Sequence, residues 1–111
     1  MKELFFNVQG SGLEPYCVRF LKRTKESMSA YCSCPAGQNG QHCKHRFSIL
    51  DGSSKNIVSG NVEQVGIVQS WLQGTDVQVA LDEMRRLENE ERGIKAELSR
   101  AKKVVAKAMR D

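Results

Sequence analysis

The first half of the chain alternates short hydrophobic runs with turn-forming residues, as expected for a small antiparallel sheet. Residues 4–8 form one hydrophobic run, and the glycine-containing segment 10–12 supplies a turn after it. Residues 16–21 are rich in β-forming side chains and alternate between two faces. One face takes Tyr16, Val18 and Phe20, and the other takes Cys17, Arg19 and Leu21. The polar segment 22–27 then turns the chain, so residues 28–32 return as the second strand of a hairpin.

Beyond residue 45 the hydrophobic spacing becomes helical. Phe47 and Leu50 stand three residues apart, which predicts a short helix whose apolar face covers the hairpin. Ile57 and Val58 then predict a small edge strand that closes the domain.

Two further helix starts share the same local chemistry. Asn61 lies three residues before Gln64, an N-cap arrangement akin to the capping box, and opens a helix through Gln73. The apolar face of this helix carries Val62, Val65, Val68 or Gln69, and Leu72. Gly74 is a suitable C-terminal stop, and Thr75 begins the next helix.

The last helix is predicted from about residue 76 to residue 109, and a heptad repeat runs along it. The a positions are Val77, Met84, Glu91, Leu98 and Val105, and the d positions are Ala80, Leu87, Ile94, Ala101 and Ala108. A helix of about 34 residues spans about 50 Å, far more than a small domain can cover. The pattern therefore favours a homodimer through residues 77–108.

Some charges along this helix favour a parallel dimer and others oppose it. In a parallel dimer Glu90 faces Lys95 of the second copy, and this attractive pair repeats one heptad later. In the same arrangement Glu83 meets Glu88, which opposes pairing. Glu91 interrupts the seam, Gly93 costs about 1 kcal/mol relative to alanine, and three d positions are alanine. Two alternatives stay open: one amphipathic helix packed on its own domain, or a helical hairpin bent at residues 89–93.

These elements together predict an α+β chain. It begins with a small ββα module that has an extra N-terminal strand, followed by a helix and a long coiled-coil-like helix. The corresponding domains are residues 1–60, 61–74 and 75–111. Aromatic side chains make up only 6% of the 111 residues, so the core must be modest. Cores of this size usually need a metal or another cross-link.

Composition and charge place few limits on the partner. The net charge is +4, with eight basic and five acidic residues in 1–74 and nine and eight in 75–111. No hydrophobic run approaches the length of a transmembrane helix. The N-terminus also lacks the basic start, apolar stretch and small-residue cleavage site of a secretory signal. We therefore expect a cytoplasmic or nucleoid-associated protein without a membrane partner.

Two tight pairs of metal-binding side chains, Cys-x-Cys and Cys-x-His, occur within fourteen positions. They are Cys32, Cys34, Cys43 and His45. A Cys₃His set satisfies a tetrahedral structural zinc ion completely. Pro35 favours a turn directly after the first pair, and the polar, glycine-containing loop that follows can bring the second pair back to it. The sequence therefore predicts one structural Zn²⁺ ion.

Disulfides are the competing interpretation of these cysteines. Cys32 and Cys34 stand too close in sequence to pair without strain, and a reduced intracellular site is the better account. Cys17 lies in a strand-like run, where a buried, inert thiol is expected. His42 could replace His45 as a ligand, but the alternating spacing favours His45 and leaves His42 as an outer partner or a solvent-facing residue.

The segment Tyr31-Cys32-Ser33-Cys34-Pro35, followed by a glycine-containing loop and Cys43-Lys44-His45, resembles the SWIM zinc-finger family. The resemblance covers roughly residues 15 to 51 and suits a small, stand-alone protein of bacterial or phage type. It implies a ββα module with Cys-x-Cys at the end of a hairpin and Cys-x-His entering a short helix. Family members occur in Mutator-type transposases, chromatin-remodelling ATPases and bacterial proteins, in DNA-binding or protein-contact roles. Nothing in this chain resembles their ATPase or transposase domains.

Enzyme chemistry is not expected. A catalytic zinc ion keeps an open coordination position, whereas four protein ligands leave none. The sequence contains no glycine-rich phosphate loop and no Ser-His-Asp set.

Two function classes remain. The first is a protein-interaction adaptor or regulator in nucleic-acid metabolism, which a small finger with a long helix fits slightly better. The second is direct nucleic-acid binding through a basic face beside the zinc site. The candidates for that face are Arg19, Lys22, Arg23, Lys25, Lys44 and Arg46. The alternative is that these are ordinary solvated charges. The sequence identifies neither the partner nor a nucleotide preference.

Overall fold

A computed structural model describes residues 2–110 of the chain and confirms the predicted α+β class. The chain divides into two compact units, Met1–Gln78 and Val79–Asp111. The first unit contains a three-stranded sheet and short helices, and the second contains most of one long helix.

The sheet is antiparallel, with the strand order β1-β2-β3. Its strands are β1 Lys2–Val8, β2 Tyr16–Thr24 and β3 Ser27–Cys32. The predicted turn over residues 22–27 is wrong in length, since both strands extend into it and leave two residues between them. The pairing of β2 with β3 shifts by one residue at a β-bulge between Lys22 and Thr24. Such a bulge increases the local twist, which lets the two strands continue to a turn of only two residues.

One face of the sheet forms the core. Phe6, Val18 and Phe20 are fully buried there, and the rings of Phe6 and Phe20 meet edge to face with centroids 5.9 Å apart. Such pairs add to the free energy gained by burying the rings. The helices pack on this side. The opposite face, which we call the open face, presents Phe5 and Tyr31 to solvent.

The short helices carry the rest of the first unit. They are α1 Pro35–Gln38, α2 Lys44–Leu50 and α3 Val65–Leu72, with one 3₁₀ turn at Val62–Gln64. Ile49 and Leu50 of α2 are buried, as the predicted apolar face requires. Helices α2 and α3 contact each other.

The start of the α3 region differs from the prediction. The Asn61 side chain makes no capping hydrogen bond, and the 3₁₀ turn precedes the helix. Asn61 instead donates from Nδ2 to the carbonyl of Phe5 at 2.7 Å, which ties the helix entry to the edge strand. Val62 is 45% exposed, so its predicted place on the apolar face is wrong. The remaining predicted positions, Val65, Val68 and Leu72, are buried.

The predicted edge strand at residues 57–58 is reduced to a single bridge between Val8 and Ile57. Two backbone hydrogen bonds of 2.8 Å flank it, one from Val58 to Asn7 and one from Gln9 to the carbonyl of residue 56. The segment therefore covers the end of β1 without forming a fourth strand.

The long helix, α4 Asp76–Arg110, is continuous over 35 residues. Gly74 has a φ of +76°, a conformation that glycine adopts without strain, and Thr75 Oγ1 accepts a hydrogen bond from the amide of Gln78 at 3.2 Å. The predicted helix is thus confirmed, and no bend at residues 89–93 divides it into a hairpin. All residues from 86 to 110 are exposed. Between residues 2 and 110, no helix has the length and apolar character needed to cross a membrane.

Candidate metal centre

The four predicted ligands lie together. One donor atom from each of Cys32, Cys34, Cys43 and His45 falls within 4.8 Å of the other three. All four side chains are buried. A hairpin end and a helix start therefore bring two sequence pairs into a single cluster, as the spacing predicted.

The Cys-x-Cys pair lies where β3 passes into α1. Cys32 is the last residue of β3, and Cys34 is the N-cap of α1, where its Sγ accepts a hydrogen bond from the Gly37 amide at 3.3 Å. A Cβ on Gly37 would lie 2.3 Å from the carbonyl oxygen of Cys32. The turn therefore requires glycine at position 37, because a side chain there would push the two ligand-bearing segments apart.

The Cys-x-His pair lies at the start of α2. Cys43 is the N-cap residue, in an extended conformation, and His45 follows in the first turn. Arg46 donates from Nε to Cys43 Sγ at 3.2 Å and from Nη1 to the carbonyl of Ala30 at 3.2 Å. It also donates to the carbonyl of Gln41. One guanidinium thus links the helix start, the preceding loop and β3.

A pair of hydrogen bonds fixes the hairpin end against β2. The Ser33 amide donates to the carbonyl of Cys17 at 3.0 Å, and the Cys17 amide donates to Ser33 Oγ at 2.9 Å. Cys17 itself is exposed and lies outside the cluster. The expectation of a buried Cys17 is therefore wrong, because this residue occupies the open-face side of β2.

His45 reaches the cluster through one ring nitrogen. Its Nδ1 lies 3.7 Å from Cys32 Sγ, and its ring packs against that of Tyr16 with centroids 5.1 Å apart. Its Nε2 is buried and has no hydrogen-bond partner in the described part of the chain. His45 also lines a cavity of about 530 Å³. A metal ion held by the cluster would therefore be bound through Nδ1, and the neutral ring would then carry its proton on Nε2.

His42 lies outside the cluster, as predicted. It is exposed, and its ring stacks on Phe47 with centroids 5.9 Å apart.

The cysteines differ in their electrostatic surroundings. Burial raises the pKa of Cys32 to about 12. Burial also acts on Cys43, but hydrogen bonds from the Arg46 backbone and guanidinium outweigh it and lower the pKa. Burial, aided by the charge of Lys44, lowers the pKa of His45 and favours its neutral form. A neutral imidazole and a stabilised thiolate are the forms that bind a metal ion.

The donor set and its spacing are consistent with zinc. Zn–S bonds near 2.3 Å and Zn–N bonds near 2.05 Å in a tetrahedron place sulfur and nitrogen donors about 3.6 Å apart. The Cys32–His45 separation of 3.7 Å is close to that value. Three sulfurs and one imidazole in a buried pocket form a closed site, since the protein provides all four donors.

The six basic candidates do not gather beside the cluster. Arg19 and Arg23 lie on the open face, where both contact Tyr31. Lys22 donates to the carbonyl of Trp71 at 2.6 Å, on the helix side. Arg46 is occupied by the hydrogen bonds described above. Lys25 and Lys44 are exposed, in the hairpin turn and on α2 respectively.

Two residues that shape the site were not predicted. The sequence marks Arg46 as a surface charge, but its position three residues after Cys43 places it on the same side of the first helical turn. The sequence marks Gly37 as part of a flexible loop. The sequence does not predict the contact between Gly37 and Cys32, because this contact depends on how closely two backbone segments approach each other in the fold.

The chain matches none of the protein-family models, curated proteins or solved structures with which it was compared. The functional conclusion therefore rests on the residues and their geometry, which define a Cys₃His cluster placed to bind a metal ion.

Proposed function

We propose that this chain is a zinc-binding module of the SWIM type that acts as a protein-interaction adaptor in nucleic-acid metabolism. The element order supports the SWIM assignment: a β-hairpin ends in Cys-x-Cys, and a short helix begins with Cys-x-His. This is the ββα arrangement that the sequence resemblance implies. The additional strand β1 and the long helix α4 extend that module.

The proposed role is non-catalytic. Four protein donors saturate a tetrahedral ion, so no position remains for a substrate or an activated water molecule. The ion would instead join the hairpin to α2 and stabilise a core of few large side chains. Binding of the ion and folding of the first unit would then be coupled.

The exposed apolar seam of α4 is the observation that carries the adaptor role. Leu87, Ile94, Leu98 and Val105 recur at heptad positions and are between 49% and 65% exposed. A hydrophobic stripe of this length on a soluble helix normally packs against another helix. We propose that a second copy of α4 packs on it in parallel.

Ion pairs within α4 change the electrostatic repulsion between two copies of this helix. Arg86 bonds to Glu83 at 2.6 Å and to Glu90 at 2.5 Å, both within one helix. The guanidinium therefore offsets the charge of Glu83, which in a parallel dimer faces Glu88 of the second copy. The repulsion between Glu83 and Glu88 is weakened in this way, whereas Glu91 stands at an a position in both copies and interrupts the seam.

Light scattering during size exclusion tests the proposal on the zinc-loaded full chain. We expect a dimer for the natural sequence and a monomer for Ile94→Lys, which places a charge in the seam. Ser99→Lys adds the same charge on the outer side of the helix and should remain dimeric. A monomer at all concentrations for the natural sequence would reject self-association, and less than one zinc per chain would reject the metal assignment.

Direct nucleic-acid binding is the second candidate function. The face beside the metal cluster supplies few free charges for it, since Arg46 is hydrogen-bonded to Cys43 and two carbonyls. Arg19 and Arg23, on the open face, are the candidates that lie beside exposed aromatic rings.

A further inference from the structure

Three side chains form a straight row across the open face of the sheet. Phe5 on β1 pairs with Arg19 on β2, and Arg19 pairs with Tyr31 on β3. Directly paired residues on neighbouring strands project to the same side. The row therefore consists of an aromatic ring, a guanidinium and a second aromatic ring, one from each strand.

Both rings are accessible. Phe5 is 49% exposed and Tyr31 is 44% exposed, whereas Phe6 and Cys32, their neighbours on the core face of the same strands, are buried. On one side the row is followed by Asn7 and Cys17, which are exposed, and on the other side by Glu3, Leu21 and Ser29. Leu21 is 8% exposed. The Arg19 guanidinium lies over one face of the Tyr31 ring, so a base stacks on the other face. Phe5 and Tyr31 flank Arg19 in neighbouring strands, so the two rings and the guanidinium form one continuous exposed surface.

Two arginines surround Tyr31. The Arg19 guanidinium carbon lies 4.7 Å from the centre of the Tyr31 ring, and Arg23 donates to the Tyr31 hydroxyl at 3.2 Å. Arg19 also forms an ion pair of 3.4 Å with Glu3, in which both side chains are about 40% exposed. Such an exposed pair contributes little free energy, so a phosphate group can take the place of Glu3.

We propose that this row binds single-stranded nucleic acid, with bases stacked on Phe5 and Tyr31 and phosphates held by Arg19 and Arg23. Aromatic side chains on an open sheet, interleaved with arginine, provide the two contacts that single strands use. The positive charges of Arg19 and Arg23 attract the negative phosphates of the backbone. This inference rests on the second candidate function, direct nucleic-acid binding, and specifies its strand class and its contacts; it needs no dimer.

The spacing of the row favours single strands over duplexes. Phe5 and Tyr31 are two strands apart, or about 10 Å at the usual inter-strand distance. Bases in a duplex rise about 3.4 Å per step along each strand and hide their faces in the stack. Only an extended, unstacked strand can place one base on each ring.

Fluorescence anisotropy with labelled twelve-nucleotide oligomers tests the proposal on the zinc-loaded full chain. Oligo-dT and oligo-U should bind at low salt, and a duplex of the same length should bind at least tenfold more weakly. Phe5→Thr and Tyr31→Thr should each weaken single-strand binding about tenfold, the loss expected for one stacked base. Tyr31→Phe keeps the ring and should retain binding.

Matched controls separate the row from general surface effects. Leu13 is a fully exposed hydrophobic residue outside the strands, so Leu13→Thr should leave binding unchanged. Arg19→Gln should reduce the slope of log affinity against log salt by about 0.7, the value for one phosphate on a single strand. Zinc content and circular dichroism should match the natural protein in every variant.

Several results would overturn the inference. These are no binding of either oligomer at low salt, equal affinity for single strands and duplex, or unchanged affinity in Phe5→Thr and Tyr31→Thr. Loss of a bound protein partner in those two variants, without any oligomer binding, would assign the row to protein contact and would also reject it. A chain that is monomeric by light scattering yet binds oligomers through the row would reject the adaptor dimer and leave this inference standing.

Discussion

At the scale of single residues, Arg46 shows how a charged side chain can organise a cluster of metal-binding side chains without being one of its four donors. Its guanidinium contacts Cys43, Ala30 and Gln41 together. These contacts orient one ligand sulfur and satisfy two backbone carbonyls. The residue is therefore better described as a support for the site than as a free surface cation.

Arg46→Ala should lower the free energy of unfolding by about 2 kcal/mol, because it removes hydrogen bonds between a charged group and partly buried acceptors. It should also make zinc easier to remove in competition with a chelator. Lys44→Ala, at an exposed position on the same helix turn, should change stability by less than about 0.5 kcal/mol. Equal effects in urea titrations of the two variants would contradict the assigned role.

Gly37 is required for a different reason, the close approach of two backbone segments. Gly37→Ala places a methyl group 2.3 Å from the Cys32 carbonyl oxygen. We expect it to cost about 2 kcal/mol of stability and to weaken metal retention. Gly66→Ala provides the matched comparison, since nothing lies within 4 Å of the new methyl group and the site is helical. It should stabilise the protein by about 0.5 kcal/mol in the same denaturant measurement.

At the scale of elements, α4 was the most predictable part of the chain. Its periodic pattern, the Thr75 cap and the Gly74 stop gave a predicted start at residue 76, where the helix begins. The hairpin was predicted less well, because a β-bulge between Lys22 and Thr24 has no marker in the sequence. The helix after Asn61 was also misjudged at its start, since the Asn61 side chain bonds to a distant carbonyl instead of the local amide.

Gly93 lies inside α4 with no contact that requires glycine. Gly93→Ala should therefore stabilise the helix by about 1 kcal/mol and raise its melting temperature, followed by circular dichroism at 222 nm. Ala96→Gly, at another exposed position one turn later, should have the opposite effect of similar size. A destabilised Gly93→Ala variant would show that the glycine serves a contact or a bend in the assembled protein.

At the scale of the whole molecule, the chain combines a small unit that carries a candidate metal cluster with one long helix. The first unit has a small core and one buried donor cluster. Helix α4 relies on local hydrogen bonds, on ion pairs such as Lys95–Glu91 at 2.6 Å, and on the proposed second copy. The two units should therefore respond differently to loss of the metal.

Removal of zinc by a strong chelator should unfold the first unit and spare much of α4. Hydrogen exchange is the suitable measurement, because it reports each segment separately. Amides of β2, β3 and α2 should lose protection, whereas amides in residues 86–105 should keep it in a dimeric sample. Full protection of the sheet after chelation would show that the ion does not hold this unit together.

The sequence alone determined the ligand set and the long helix, because both depend on residue type and short-range spacing. Thiolate and imidazole chemistry fixes which side chains can bind zinc, and the 3.6-residue period fixes a helix. Only the tertiary structure decided which side chains the arginines contact. It placed Arg46 against Cys43 and aligned Arg19 between Phe5 and Tyr31. Strand register sets that alignment, and register depends on a bulge and on core packing over the whole sheet.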